Sequence, residues 1–132
     1  MNRRLFDHID LRVKNRKTAQ RFYAQVLPAI GFKIDKSGEE YGQFQPAGKP
    51  VPFFCFTEEP DHEPNGNRIA FWAESRAAVD KVAEVVRKAG GKNLEGPELC
   101  VDYSPGYYAV FFEDPDGNNL EVCCRESTTG TG

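Results

Sequence analysis

Glu121 stands between Leu120 and Val122 in FFEDPDGNNLEVCC, a stretch that otherwise reads as the end of a β-hairpin. A carboxylate in such a strand can take a proton or hold a cation, or it can sit at an edge and point to water. Arg68 opens RIAFWAE with a permanent charge and a fork of donors. That fork suits a ligand carboxylate or phosphate, or it neutralises a nearby acid such as Glu121. His8, in FDHIDLRV, offers an imidazole for acid–base work or ligation, or serves as a hydrogen-bonded core residue. Strand parity gathers His8, Asp10, Arg68, Trp72 and Glu121 on faces turned toward one cleft.

The elements that carry these residues follow from periodicity. Ile9, Leu11 and Val13 alternate with His8, Asp10 and Arg12, as in a strand with one packed face. Ala19, Phe22, Tyr23, Val26 and Leu27 recur at helical spacing after Asn15 and Thr18, which predicts a helix near 17–27 that Pro28 ends or kinks. Gly31 and Phe32 lead into extended pieces at 41–45 and 51–57, and the stretch 36–50, which includes the first of them, reads as a pocket-forming loop. The acidic, proline-bearing stretch 58–67 reads as a linker with a solvated His62. The pattern then restarts: a strand at 68–74, Ser75 as N-cap, a helix at 76–89 with Val79, Val82, Ala83 and Val86 on one face, and a stop at Gly90-Gly91. A Gly- and Pro-rich loop, 92–106, precedes two strands joined by Asp114-Pro115-Asp116-Gly117-Asn118, whose residue types suit a tight turn.

The interval from His8 to Arg68 equals that from Gly31 to Gly91, so the chain repeats one module. The expected fold is α+β: two βαβββ modules forming a strongly curved mixed sheet around a cleft, with helices outside. Module one spans about 5–57, the linker 58–67 and module two about 68–125, one domain over 1–125. The tail 126–132 lacks an apolar anchor and is expected to be disordered.

A net charge of -3 offers no basic surface, which excludes nucleic acid as an expected partner. No apolar run approaches the roughly 20 residues that cross a bilayer, and the N-terminus has no signal-peptide core, so the expected location is cytoplasmic. Cys55, Cys100, Cys123 and Cys124 lack both zinc spacing and a secreted framework, and read as reduced thiols.

The pieces DHIDLRV, RFYAQVLPAIGF, SRAAVDKVAEVVRKAGG and PGYYAVFFEDPDGNNLEV together resemble the vicinal oxygen chelate superfamily of glyoxalases, extradiol dioxygenases and bleomycin-binding proteins. The resemblance implies a divalent metal (zinc, nickel, manganese or iron) held by His8 and Glu121, which also become the candidate catalytic residues. It departs from the family at Arg68, which occupies the place of a ligating histidine, and at PFFCF, which offers no ligand. Guanidinium has only donors, so two ligands remain and no tightly bound cofactor is expected. Strand parity permits Asp10 or Asp102 to complete the set without favouring either. The implied function is a small-molecule enzyme of lyase, isomerase or dioxygenase type acting on vicinal oxygens. The alternative is a non-catalytic binding or sequestering protein of bleomycin-resistance type. Arg68, Trp72, Phe54, Tyr103 and Tyr108 are the candidate substrate-binding residues, and the resemblance implies a homodimer.

Overall fold

The computed structural model describes residues 5–37, 41–46 and 53–125; the stretch 47–52 and the tail 126–132 lie outside the described residues. Its elements run β1 (Ile9–Val13), α1 (Arg16–Ile30), β2 (Phe32–Ser37), β3 (Tyr41–Pro46), β4 (Phe54–Glu58), β5 (Arg68–Trp72), α2 (Arg76–Ala89), β6 (Lys92–Leu99), β7 (Tyr108–Glu113) and β8 (Asn119–Cys124). The same βαβββ order therefore appears twice, as the repeat predicts. Each module forms its own four-stranded mixed sheet, ordered β1-β4-β3-β2 and β5-β8-β7-β6. In both sheets the first strand pairs parallel with the last, while the remaining pairs are antiparallel.

Local chemistry accounts for both helices. The Asn15 side chain accepts from the Thr18 N–H at 2.9 Å, and Ser75 does the same for Ala78 at 3.1 Å, so each helix starts on a side-chain cap. Gly31 and Gly90 end them at φ +128° and +98°, a region that side chains with a Cβ rarely adopt. Of the two alternatives for Pro28, ending α1 is not seen, and the helix runs on to Ile30. The proline sits exposed in the last turn, where little helix remains beyond its missing N–H.

The buried stripes of α1 and α2 meet the inner faces of both sheets in one core. Phe22 of α1 reaches Phe112 of β7 at 6.4 Å, and Phe54 of β4 packs on Phe71 of β5 at 5.6 Å between ring centroids. The opposite face of each sheet is turned away from this core. That outer face carries Asp10 and Cys55 in module one, and Arg68, Phe111 and Glu121 in module two.

A second tie between the modules is polar. The buried Asp114 carboxylate accepts from the Tyr23 hydroxyl at 2.6 Å and from the Asp116 N–H, the Asn118 N–H and the Asn118 Nδ2, each at 2.9 Å. Asn118 Nδ2 also donates to the Arg12 carbonyl at 3.0 Å, and the Lys14 N–H donates to Asp116 Oδ2 at 2.9 Å. Both Asn118 amide hydrogens are thus committed. His62, 2.9 Å from Asn118 Oδ1, must supply its Nε2–H as donor. His62 is half-buried and bonded, which corrects its reading as a solvated linker residue.

β3 falls on the extended piece expected at 41–45, but stretches expected to be loops also contain strand: the end of β2 lies within 36–50, and β6 occupies 92–99. Pro97 and Gly96 argue against a strand, but β6 lies at the sheet edge and shifts register between Lys92 and Glu95 and again before Glu98. Edges and bulges are where a strand accommodates proline.

Candidate functional site

The outer face of module two is ordered in cross-strand rows. Ala70, Glu121 and Phe111 form one row; Arg68, Asn119 and Glu113 lie on one side of it, and Trp72, Cys123 and Ala109 on the other. Glu121 therefore sits in the middle of the sheet, where it is only 4% exposed. A buried carboxylate needs donors, and the Tyr107 hydroxyl donates to its Oε2 in a short hydrogen bond. Tyr107 is itself buried, in a small cluster with Ala109 and Cys123.

These environments push titrations upward. Burial, reinforced by the bonds to Cys123 and Glu121, holds the Tyr107 phenol protonated far above its ordinary range. Burial likewise raises the Cys123 thiol, partly opposed by the Tyr107 bond. Cys100 is raised by burial and by the negative charges of Glu98 and Glu121. Both thiols are thus poor nucleophiles at neutral pH.

Arg68 forms the wall between two hollows. A groove of about 610 Å³ runs along β5 past Phe6, Phe32, Phe53 and Trp72, and among the described residues Arg68 is the one charged side chain that lines it. A smaller pocket of about 360 Å³, on the β6 side, is lined by Arg68, Glu95, Glu98, Cys100, Asp102 and Tyr103, among others. The guanidinium lies over the Phe111 ring, 5.0 Å from its centroid. Among the described residues no carboxylate is within ion-pairing distance of it.

The expected residues divide accordingly. Glu121, Arg68 and Trp72 share one sheet face, as parity predicts, and Trp72 is 61% exposed in the groove. Tyr103 lines the smaller pocket and meets Tyr107 edge-on at 5.1 Å. Arg68 makes no direct ion pair with Glu121, so the alternative in which it neutralises that acid is not seen. It stands one row away, exposed, with its guanidinium over the Phe111 ring. His8 lies in module one, exposed and bonded to Asp7 at 2.8 Å, with no hydrogen bond to Glu121. Asp10 is engaged by Arg12 and Thr57. Among the described residues no three His, Cys, Asp or Glu side chains form a group able to hold a metal ion.

Two candidates are corrected. Phe54 is fully buried in the shared core against Tyr23 and Phe71, so a ligand on the outer face cannot touch it. Tyr108 points to the helix side, where its hydroxyl donates to Asp80 at 2.7 Å. Its neighbour Tyr107, not among the expected site residues, is the ring that meets Glu121, and one signal could have pointed to it. Tyr107, Ala109 and Phe111 share strand parity, and Phe111 faces Glu121 across the hairpin.

Comparison with known proteins agrees with this fold. The family described as the Glyoxalase/Bleomycin resistance protein/Dioxygenase superfamily matches residues 5–122. An uncharacterised protein of Bacillus subtilis is 30% identical over 127 residues, covering 87% of this chain and 94% of its own length. A virulence protein of Salmonella typhimurium is 27% identical over 130 residues, covering 88% and 81%. Among solved structures, a glyoxalase/bleomycin resistance protein from Albidiferax ferrireducens superposes with a TM-score of 0.76 at 21% identity, covering 92% of this chain and 99% of that one. A fosfomycin resistance protein from Listeria monocytogenes, complexed with manganese(II) and sulfate, superposes with a TM-score of 0.68 at 22% identity, covering 98% and 94%.

Proposed function

Because the chain belongs to the glyoxalase/bleomycin resistance protein/dioxygenase superfamily, we propose that it binds a small molecule at Arg68, between the groove along β5 and the outer face of module two, without help from a divalent metal. The observation that carries this reading is Arg68. Where the family resemblance calls for a ligating histidine, the chain has a guanidinium stacked on Phe111. The family's metal does not fit the residues present. Arg68 can only donate, the Glu121 Oε2 is taken by Tyr107, and His8 is bonded to Asp7 in the other module. No step of the function is therefore routed through a metal.

The ligand that suits these hollows has an apolar body and an anionic group. Its body lies along Trp72 in the groove, and its anion meets the Arg68 fork. Tyr103 closes the other side of Arg68. Trp72 is the chain's single tryptophan, so its emission reports occupancy directly. Titration with aromatic carboxylates and phosphonates in excess chelator is expected to quench or blue-shift that emission. Arg68→Met should weaken the anionic compounds at least about tenfold, the loss of one charge-assisted contact. Binding that requires a divalent ion, or a panel that leaves the emission unchanged, would overturn the reading.

The buried Glu121–Tyr107 pair favours a second reading, a metal-independent acid–base enzyme in which Glu121 moves the proton. Glu121→Gln separates the two, since it abolishes turnover in the second reading and leaves ligand affinity nearly intact in the first.

A homodimer belongs to the same proposal. β1 and β5 are sheet edges, and Phe6 and Trp72 beside them are more than half exposed. A second copy would cover them and supply the wall that each outer face lacks. Light scattering is expected to give twice the chain mass of 14.8 kDa, and a monomeric value removes the dimer from the proposal.

A further inference from the structure

The fit between Glu121 and its neighbours contains a second barrier to metal, apart from Arg68. A carboxylate 4% exposed has lost most of its water and must be compensated by a cation or by hydrogen-bond donors. Tyr107 supplies the donor, on Oε2. Its backbone and ring are held from several directions. The Tyr107 N–H donates to the Ser104 carbonyl at 3.1 Å, and its own carbonyl accepts from Cys100 at 2.7 Å. The ring meets Tyr103 edge-on, and the Arg125 guanidinium lies 4.6 Å from its centroid.

A phenol has one proton to give. It goes to the carboxylate, the stronger acceptor. A divalent ion approaching Oε2 would have to displace this hydroxyl and leave it buried without its acceptor, at a cost in affinity.

We propose that Tyr107 is a specificity-determining residue that closes the Oε2 of Glu121 to divalent cations, its hydroxyl denying an ion the two-oxygen grip of the carboxylate and leaving Oε1 alone. The proposal rests on the metal-independent reading above and names the device behind it. Arg68 and Tyr107 act at different atoms, so neither substitution alone opens the site.

The test compares wild type, Arg68→His, Tyr107→Phe, the double variant, and the double variant carrying Glu121→Gln. Each is stripped with chelator and titrated with manganese(II) by electron paramagnetic resonance and with nickel(II) by calorimetry. Circular dichroism melting accompanies every protein. The double variant is expected to bind at least about tenfold more tightly than either single variant, with Glu121→Gln removing the gain. Tyr107→Phe alone should raise manganese affinity slightly, which probes the barrier even if the double variant does not fold. Equal affinity of Arg68→His and the double variant would overturn the role of Tyr107 and leave the metal-independent reading standing. Folded variants with no gain would do the same. A stoichiometric ion in the stripped and reloaded wild type would overturn both.

Discussion

Asp114→Ala is expected to destabilise the protein by roughly 3–5 kcal/mol, a large part of the 5–15 kcal/mol typical of such a domain. The carboxylate is fully buried and accepts four hydrogen bonds, from Tyr23, Asp116 and twice from Asn118. Alanine leaves a buried tyrosine hydroxyl without an acceptor and releases the turn that carries Asn118. Each unsatisfied donor costs about 1–3 kcal/mol, and the losses overlap because the donors share one network. The effect should extend beyond the turn. Asn118 reaches the Arg12 carbonyl and His62, and Asp116 reaches the Lys14 N–H, so four segments lose a common anchor. Tyr23→Phe removes only one bond and should cost about 1–2 kcal/mol. Thermal melting would show the difference, with a drop of about 10–20 °C for Asp114→Ala. A midpoint within two or three degrees of wild type would mean that the apolar core alone holds the modules together.

The repeat explains why so much of the fold was legible. Periodicity located α2 at its observed bounds, because Ser75, the stripe from Val79 to Val86, and Gly90 all agree. It missed β6 because propensity speaks for an isolated strand, whereas Gly96 and Pro97 are accommodated by bulges at an edge. His62 was read as solvated for a similar reason. Its partner Asn118 is 56 positions away, and nothing local announces the bond.

The site was legible by face and not by contact. Parity placed Arg68, Trp72 and Glu121 on the same side of one sheet, as the rows through Asn119, Glu121 and Cys123 have them. Parity does not say where a long side chain turns. Arg68 had both an acid and an aromatic ring within a row, and the guanidinium lies on the ring. Tyr108 and Phe54 were chosen for being aromatic, and burial assigns both to the inner side. A tyrosine pair such as Tyr107-Tyr108 must split across the sheet. Only the cross-strand register with Glu121 decides which ring reaches the site.

Stability is expected to fall steeply in alkali, through the same buried hydroxyls. Tyr23 is raised well above its ordinary value by burial, then by the charge and hydrogen bond of Asp114. Tyr107 is raised by burial, then by Cys123 and Glu121. Both phenols keep their protons in the folded chain at a pH where the unfolded chain has begun to lose them. Above about pH 10 the unfolded state therefore binds fewer protons, and stability decreases as pH rises. The raised thiols of Cys100 and Cys123 act in the same direction from about pH 9. Each fully retained proton contributes a slope of about 1.4 kcal/mol per pH unit, so the two tyrosines together approach twice that once the unfolded phenols are ionised. Urea unfolding at intervals between pH 8 and pH 11.5 measures the slope. Tyr23→Phe and Tyr107→Phe each lower stability at neutral pH, but the informative quantity is the alkaline slope, which should shrink by about one proton in each variant. A slope unchanged by Tyr107→Phe would mean that this phenol ionises in the folded protein as readily as in the unfolded chain. The close, water-excluding contact with Glu121 would then be wrong.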